Sequence, residues 1–235
     1  MASSGIEYRY DDAQQLDGSW NKRTTWLFRN SLKLQLTPDW RLVSKVNHSM
    51  SDSSLGKSDD GGYTEVVLGY AYRPVNHDRL NALLKYTYFF NMPAADQVSA
   101  HDTSSASFTQ RSHIVSLDTM YDLTHYWTLG GKYAYRLGQV SLDREDPHYF
   151  DNSAHLAILR TDLRLFKSWE VSGEGRILYL PNFDEQRSGA LVTLYRYLGK
   201  HLKVGVGYNF TDFSDDLTDL SYDHHGFFFN LIGTL

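Results

Sequence analysis

The chain has 235 residues and a formal net charge of −5, so it lacks the basic surface that a nucleic-acid phosphate backbone demands. It contains no cysteine, which excludes disulfide scaffolds, thiolate metal sites and thiol nucleophiles. No run of about 18 apolar residues occurs, so no helix is expected to cross a bilayer. Alternating strands escape that criterion, because their hydropathy averages out.

The opening MASSG, Met1 to Gly5, has neither a basic nor an apolar leader region. It reads as an artificial start ahead of a single domain over residues 6–235. From there, alternating runs recur to the end. Strands are predicted from Ile6, Thr24, Trp40, Tyr63, Arg79 and Arg111, and then from Trp127, His155, Trp169, Gly189, Leu202 and Gly226. The second of them shows the pattern best. Thr24, Trp26, Phe28, Asn30, Leu32, Leu34 and Leu36 fall on one face, and Thr25, Leu27, Arg29, Ser31, Lys33 and Gln35 on the other. A period of two is that of a strand, and runs of roughly 9–12 residues suit a tilted crossing of a bilayer.

Connections alternate between short ("TPD", "PVNHD", "THY", "KS", "GKH") and long, with the long ones acidic or Ser-rich. In a meander every second connection lies at the same end, so the tight turns gather at one end and the long loops at the other. Trp40, Trp127 and Trp169 each launch a strand from a tight turn, where an aromatic girdle is expected. On the apolar parity stand residues such as Leu80, Leu84, Tyr133, Leu137, Val206 and Phe229. On the opposite parity stand Arg29, Lys33, Arg41, Lys45, Arg73, Lys85, Lys132, Arg136, Arg160, Arg164, Arg176, Arg196 and Lys203, with Glu65, Asp118, Asp122, Asp162, Glu170 and Glu174. A lipid-facing Arg or Lys at the midplane costs about 2–4 kcal/mol, so these charges are expected to line a lumen, as a pore or as a plug. His113 and Asn30 interrupt the apolar parity. The pattern predicts an all-β, transmembrane, antiparallel up-and-down β-barrel of about 12 strands. Its short turns are periplasmic, its long loops are outside, and both termini are periplasmic.

The final "GFFFNLIGTL" alternates to the end, as in strands that outer-membrane proteins present to their insertion machinery, although it closes on Leu235. The block "KVGVGYNFTDFSDDLTDLSYDHHGFFFNLIGTL", with "RLNALLKYTYFF" and "GGKYAYRLGQVSLDRE", resembles the C-terminal barrel module of very long, repeat-containing Gram-negative surface proteins. That resemblance implies anchoring or export of upstream passenger domains. The expected partners are outer-membrane lipid, lipopolysaccharide and the barrel-insertion machinery; no cofactor or metal is expected. A narrow channel for small anions is the alternative.

Catalysis has one candidate. In "VNHSMSDSS", His48 with Ser49 or Ser51 has the residue types of a base-activated hydroxyl beside lipid, but no orienting third residue can be assigned. In "TDFSDDLTDLSYDHH", Asp212, Asp215, Asp216, Asp219 and Asp223 precede His224 and His225. The spacing is not that of an EF-hand, and a solvated acidic loop is expected there.

Overall fold

A computed structural model describes residues 1–14, 20–54, 60–92, 108–143, 146–166, 168–199, 202–215, 217 and 225–233. The strands are β1 (Ala2–Gln14), β2 (Trp20–Gln35), β3 (Trp40–Ser53), β4 (Gly61–Tyr72), β5 (Leu80–Met92), β6 (Thr109–Thr124) and β7 (Trp127–Ser141). After them come β8 (Phe150–Asp151), β9 (Ala154–Phe166), β10 (Trp169–Leu180), β11 (Glu185–Tyr197), β12 (Leu202–Asn209) and β13 (Gly226–Gly233). Each long strand pairs antiparallel with its neighbours in chain order, from β1 at one edge to β13 at the other. Two-residue β8 pairs Gln139 and Val140 on the side of β7 that carries β9, and so extends the same ladder upward. The meander therefore has twelve full strands. Among the described residues no ladder joins β1 to β13.

Strand length corrects two features of the sequence reading. β1 begins at Ala2, paired with Leu32, so residues 2–5 belong to the sheet. β2 and β11 each begin four residues before their predicted starts, which shortens two of the long connections to residues 15–19 and 181–184. The sorting of loop lengths therefore rests on 93–108, 142–153 and 210–225. Asn21, Arg23, Glu185 and Arg187 occupy these added turns of strand. Their backbones pair while their polar side chains hide the alternation.

Residues opposite one another in register share a face, so the pairing assigns every side chain to one side of the sheet. On one face lie the exposed apolar side chains: Tyr8, Trp26, Phe28, Leu34, Leu68, Leu84, Leu117, Tyr133, Leu159, Ile177, Val206 and Phe229 among them. The other face is concave. A cavity of about 690 Å³ is lined jointly by residues of β6, β7, β9, β10, β11 and β12, and fully buried Arg136, Ile114, Leu156 and Leu178 belong to this face. The greasy side is the outside.

Among the described strand residues, the charges on the convex face are Asp12, Lys22, Asp52, Arg111, Asp151 and Arg196, all near strand ends. Polar groups further in are matched across strands. Asn30 donates to Ser4 Oγ (2.7 Å), and His48 Nδ1 meets Thr64 Oγ1 (2.9 Å). Tyr86 meets His113 (2.7 Å) and Tyr133 meets His155 (2.8 Å). Trp127 Nε1 donates to Thr161 Oγ1 (2.8 Å). Where no water is available, an unmatched polar group is penalised by its whole desolvation cost. Thus Asn30 and His113, the two interruptions in the pattern, each come with a partner.

Candidate functional site

The concave face gathers charged residues into pairs, some across neighbouring strands and some two residues apart on one strand. Lys45 reaches Glu65 at 2.8 Å, and Asn47 and Tyr63 also donate to this carboxylate. Lys132 faces Asp118 at 3.8 Å. Arg160 pairs with Asp162 at 3.1 Å, and Ser172 donates to the same carboxylate. Glu174 and Arg176 form an ion pair. Glu170 is the hub: Lys203 at 2.5 Å, the Tyr197 hydroxyl at 2.6 Å and Arg164 at 3.7 Å converge on it. Asp122 accepts from Thr128 at 2.5 Å, and Arg29 lies 3.9 Å from Glu7. Arg41 donates to Gln35 (3.0 Å). Lys33 and Lys85 share the face by register, Arg73, one residue past the end of β4, lines a cavity with Arg41 and Asp118, and Arg136 is buried in the face at 1% exposure.

Arg196 does not belong to this set. It pairs in register with Trp169 on the convex face, and its guanidinium lies 5.3 Å from that indole ring. The apolar row of β11 is Ala190, Val192 and Leu194, and Arg196 is its last member. At a strand end a long cationic side chain can rest its stem on an aromatic ring and keep its head in a polar layer. Trp40 and Trp127 occupy the same short-turn end of the convex face, and Trp40 stacks 4.6 Å from Tyr70.

Replacing Glu170 with Gln should remove the charge that Lys203 and Arg164 share and leave both cations on a half-buried wall. A loss of about 1.5–3 kcal/mol is expected, the range for hydrogen bonds to charged groups. Urea titration of folded protein in vesicles measures it. Equal stability of the variant would mean that lumen water replaces the hub.

The sequence reading missed how the lumen ends. Residues 210–215 and 217, in a stretch expected to be a solvated acidic loop, turn into the concave face. Phe210 N donates to the Ala190 carbonyl at 2.8 Å, and Thr211 N to Asn209 Oδ1 at 3.0 Å. Thr211 sits against Gly189, where any Cβ would meet Thr211 Cβ at 2.8 Å. Beyond this seat Phe213 and Leu217, 1% and 0% exposed, join Ile114, Ala134, Ala154, Leu156, Leu178 and Leu180 in one apolar cluster. Lys132 Nζ donates to the Asp215 carbonyl at 2.5 Å. The signal was present in the sequence: Ile114, Leu156 and Leu178 are apolar on the charged parity, in β6, β9 and β10, with only β7 between β6 and β9 in the sheet. An apolar patch inside a polar lumen requires a cover. Asp216, Asp219, Asp223, His224 and Leu235 lie outside the described residues.

The apolar cluster sits at the long-loop end. Towards the short-turn end the lumen widens into the 690 Å³ cavity, where Arg79, Arg160, Arg164 and Lys203 face Asp78, Asp122, Asp162 and Glu170. Four basic and four acidic side chains leave this space without a strong field of either sign. His48 is separated from its proposed nucleophiles. It projects from the convex face with Phe28 and Thr64, whereas Ser49 and Ser51 lie on the concave face. No hydroxyl–imidazole pair forms between them.

No protein-family model matches this sequence, and neither does any curated protein. Solved structures do match. A siderophore receptor, PirA from Pseudomonas aeruginosa, aligns over 88% of this chain at a TM-score of 0.56 and 11% identity. The copper transporter OprC aligns over 88% at 0.50 and 14% identity. The chain has the fold of an outer-membrane β-barrel. This barrel spans 38% and 40% of the length of those two chains. The NanC porin aligns over 100% of this chain and 99% of its own, at a TM-score of 0.47 and 9% identity.

Proposed function

We propose that this barrel sits in a bacterial outer membrane, with its short turns towards the periplasm. There it serves as a non-catalytic anchor, or export aid, for passenger domains upstream in a longer surface protein. Its convex face supports the location, because so continuous an apolar and aromatic exterior is solvated by lipid and not by water. The single observation that carries the anchoring role is the inward turn of residues 210–215 and 217. A channel needs an unbroken path of water, and Phe213 and Leu217 fill the long-loop end with a dry apolar cluster. The alternating row Phe227, Phe229 and Leu231 on β13 supports recognition of the last strand by barrel-insertion machinery.

One observation favours a narrow anion channel instead. Lys33, Arg41, Arg73 and Lys85, on the wall formed by β2 to β5, have no carboxylate ion partner among the described residues. Planar-bilayer recording under an asymmetric salt gradient separates the two readings, with insertion verified by the heat-dependent gel shift. Inserted protein is expected to give no conductance steps. Discrete anion-selective steps would overturn the anchor reading.

A further inference from the structure

The charges left on the convex face at the long-loop end are not spread evenly. Arg111 on β6 opens a crevice of about 260 Å³ whose other walls are His113, Leu137, Gly138, Gln139, Asp151 and Ser153. Its guanidinium is held from two sides: Nε donates to Gln139 Oε1 at 2.8 Å, and the group lies 4.1 Å from the centre of the Tyr149 ring. Gln139 in turn donates to Asp151 Oδ1 at 3.0 Å. No carboxylate pairs with Arg111 among the described residues, so its terminal nitrogens are oriented but not used. His113 is likewise fixed, through Nδ1 to the Tyr86 hydroxyl, and its Nε2 has no protein partner among the described residues.

We infer that this crevice is a headgroup site for a phosphorylated glycolipid of the outer leaflet. It rests on the membrane placement proposed above, and three features define the ligand. A pre-oriented guanidinium beside an imidazole suits a phosphate, which the planar fork binds in bidentate fashion. The Asp151 carboxylate in the same crevice would repel a bare anion but accepts from hydroxyl groups, so the phosphate must be carried on a sugar or other polyol. Below the crevice the convex face continues as Leu137, Tyr135 and Val115, an apolar track for acyl chains. A free phosphate ion uses only the first of these features. A phosphorylated glycolipid uses all three.

The test uses the folded barrel in detergent micelles, titrated with bis-phosphorylated lipid A and read by native mass spectrometry. Wild type should retain the lipid, and Arg111→Ala should weaken retention about tenfold, the loss of a charge-assisted bidentate contact. Arg111→Gln, which keeps a polar stem against Tyr149, provides the same reading should the alanine variant fold poorly. Arg196→Ala, at the opposite end, should leave retention unchanged. Dephosphorylated lipid A should bind weakly, and millimolar inorganic phosphate should compete poorly. Equal retention by the Arg111 variants, equal binding of the dephosphorylated lipid, or full competition by inorganic phosphate would each overturn the site. The heat-dependent gel shift is read on the same samples, so a failed headgroup site is distinguished from a chain that does not form a membrane barrel at all.

Discussion

Replacing Phe213 and Leu217 together with serine is expected to turn a silent bilayer into one that shows discrete conductance steps. Both side chains are fully buried, and both come from a connection rather than from a strand. Their hold on the lumen is therefore the transfer free energy of two large apolar side chains, about 1.5–3 kcal/mol each. It is supplemented by the seat of Thr211 on Gly189 and the Lys132 contact to the Asp215 carbonyl. Serine removes the first contribution and gives water a reason to enter. The sheet does not depend on this cover, since every ladder from β1 to β13 is made by strand residues alone. The double variant should accordingly insert and show the usual heat-dependent shift while its lumen opens at the long-loop end. Gly189→Val should act in the same direction, by displacing Thr211. An inserted double variant that remains silent would locate the block elsewhere in the lumen.

The second large effect concerns the outside. Leu84 is half exposed at the fifth position of β5, inside the Trp40 girdle, with Tyr70 and Leu117 opposite it on the neighbouring strands. Leu84→Arg should destabilise the inserted barrel by about 1–3 kcal/mol, between the penalties for a cation at the interface and at the bilayer midplane. Leu83→Arg, one residue away, places the same charge on the concave face beside Asp118 and should cost far less. Equilibrium urea titration in lipid vesicles compares them directly. The adjacent positions share strand, size and neighbourhood, so a difference between them reports which face meets lipid. Equal losses would contradict the assignment of faces.

Most of the wall was legible in the sequence because a strand's period is two. One correctly placed residue fixes the rest of its strand, and Arg29 or Glu170 could be placed by counting. The count failed where the environment changes along a strand. Arg196 sits on the apolar row because the row ends at Trp169 and the bilayer ends with it. Asn21 and Arg187 extend strands beyond the apolar alternation, so the pattern stopped before the hydrogen bonds did. What lay outside the reach of periodicity was the filling. Residues 210–217 have no period, and their aspartates outweigh Phe213 and Leu217 in any average. Only the apolar patch of Ile114, Leu156 and Leu178 on the opposite parity called for them, and that patch is assembled from three separate strands, β6, β9 and β10.

The stopper belongs to the connection that leads into the final strand, which pairs only with β12 among the described strands. The last hairpin therefore carries both an edge of the wall and the filling of the bore, so a change in its connection alters the lumen while the ladders from β1 to β12 stay as they are.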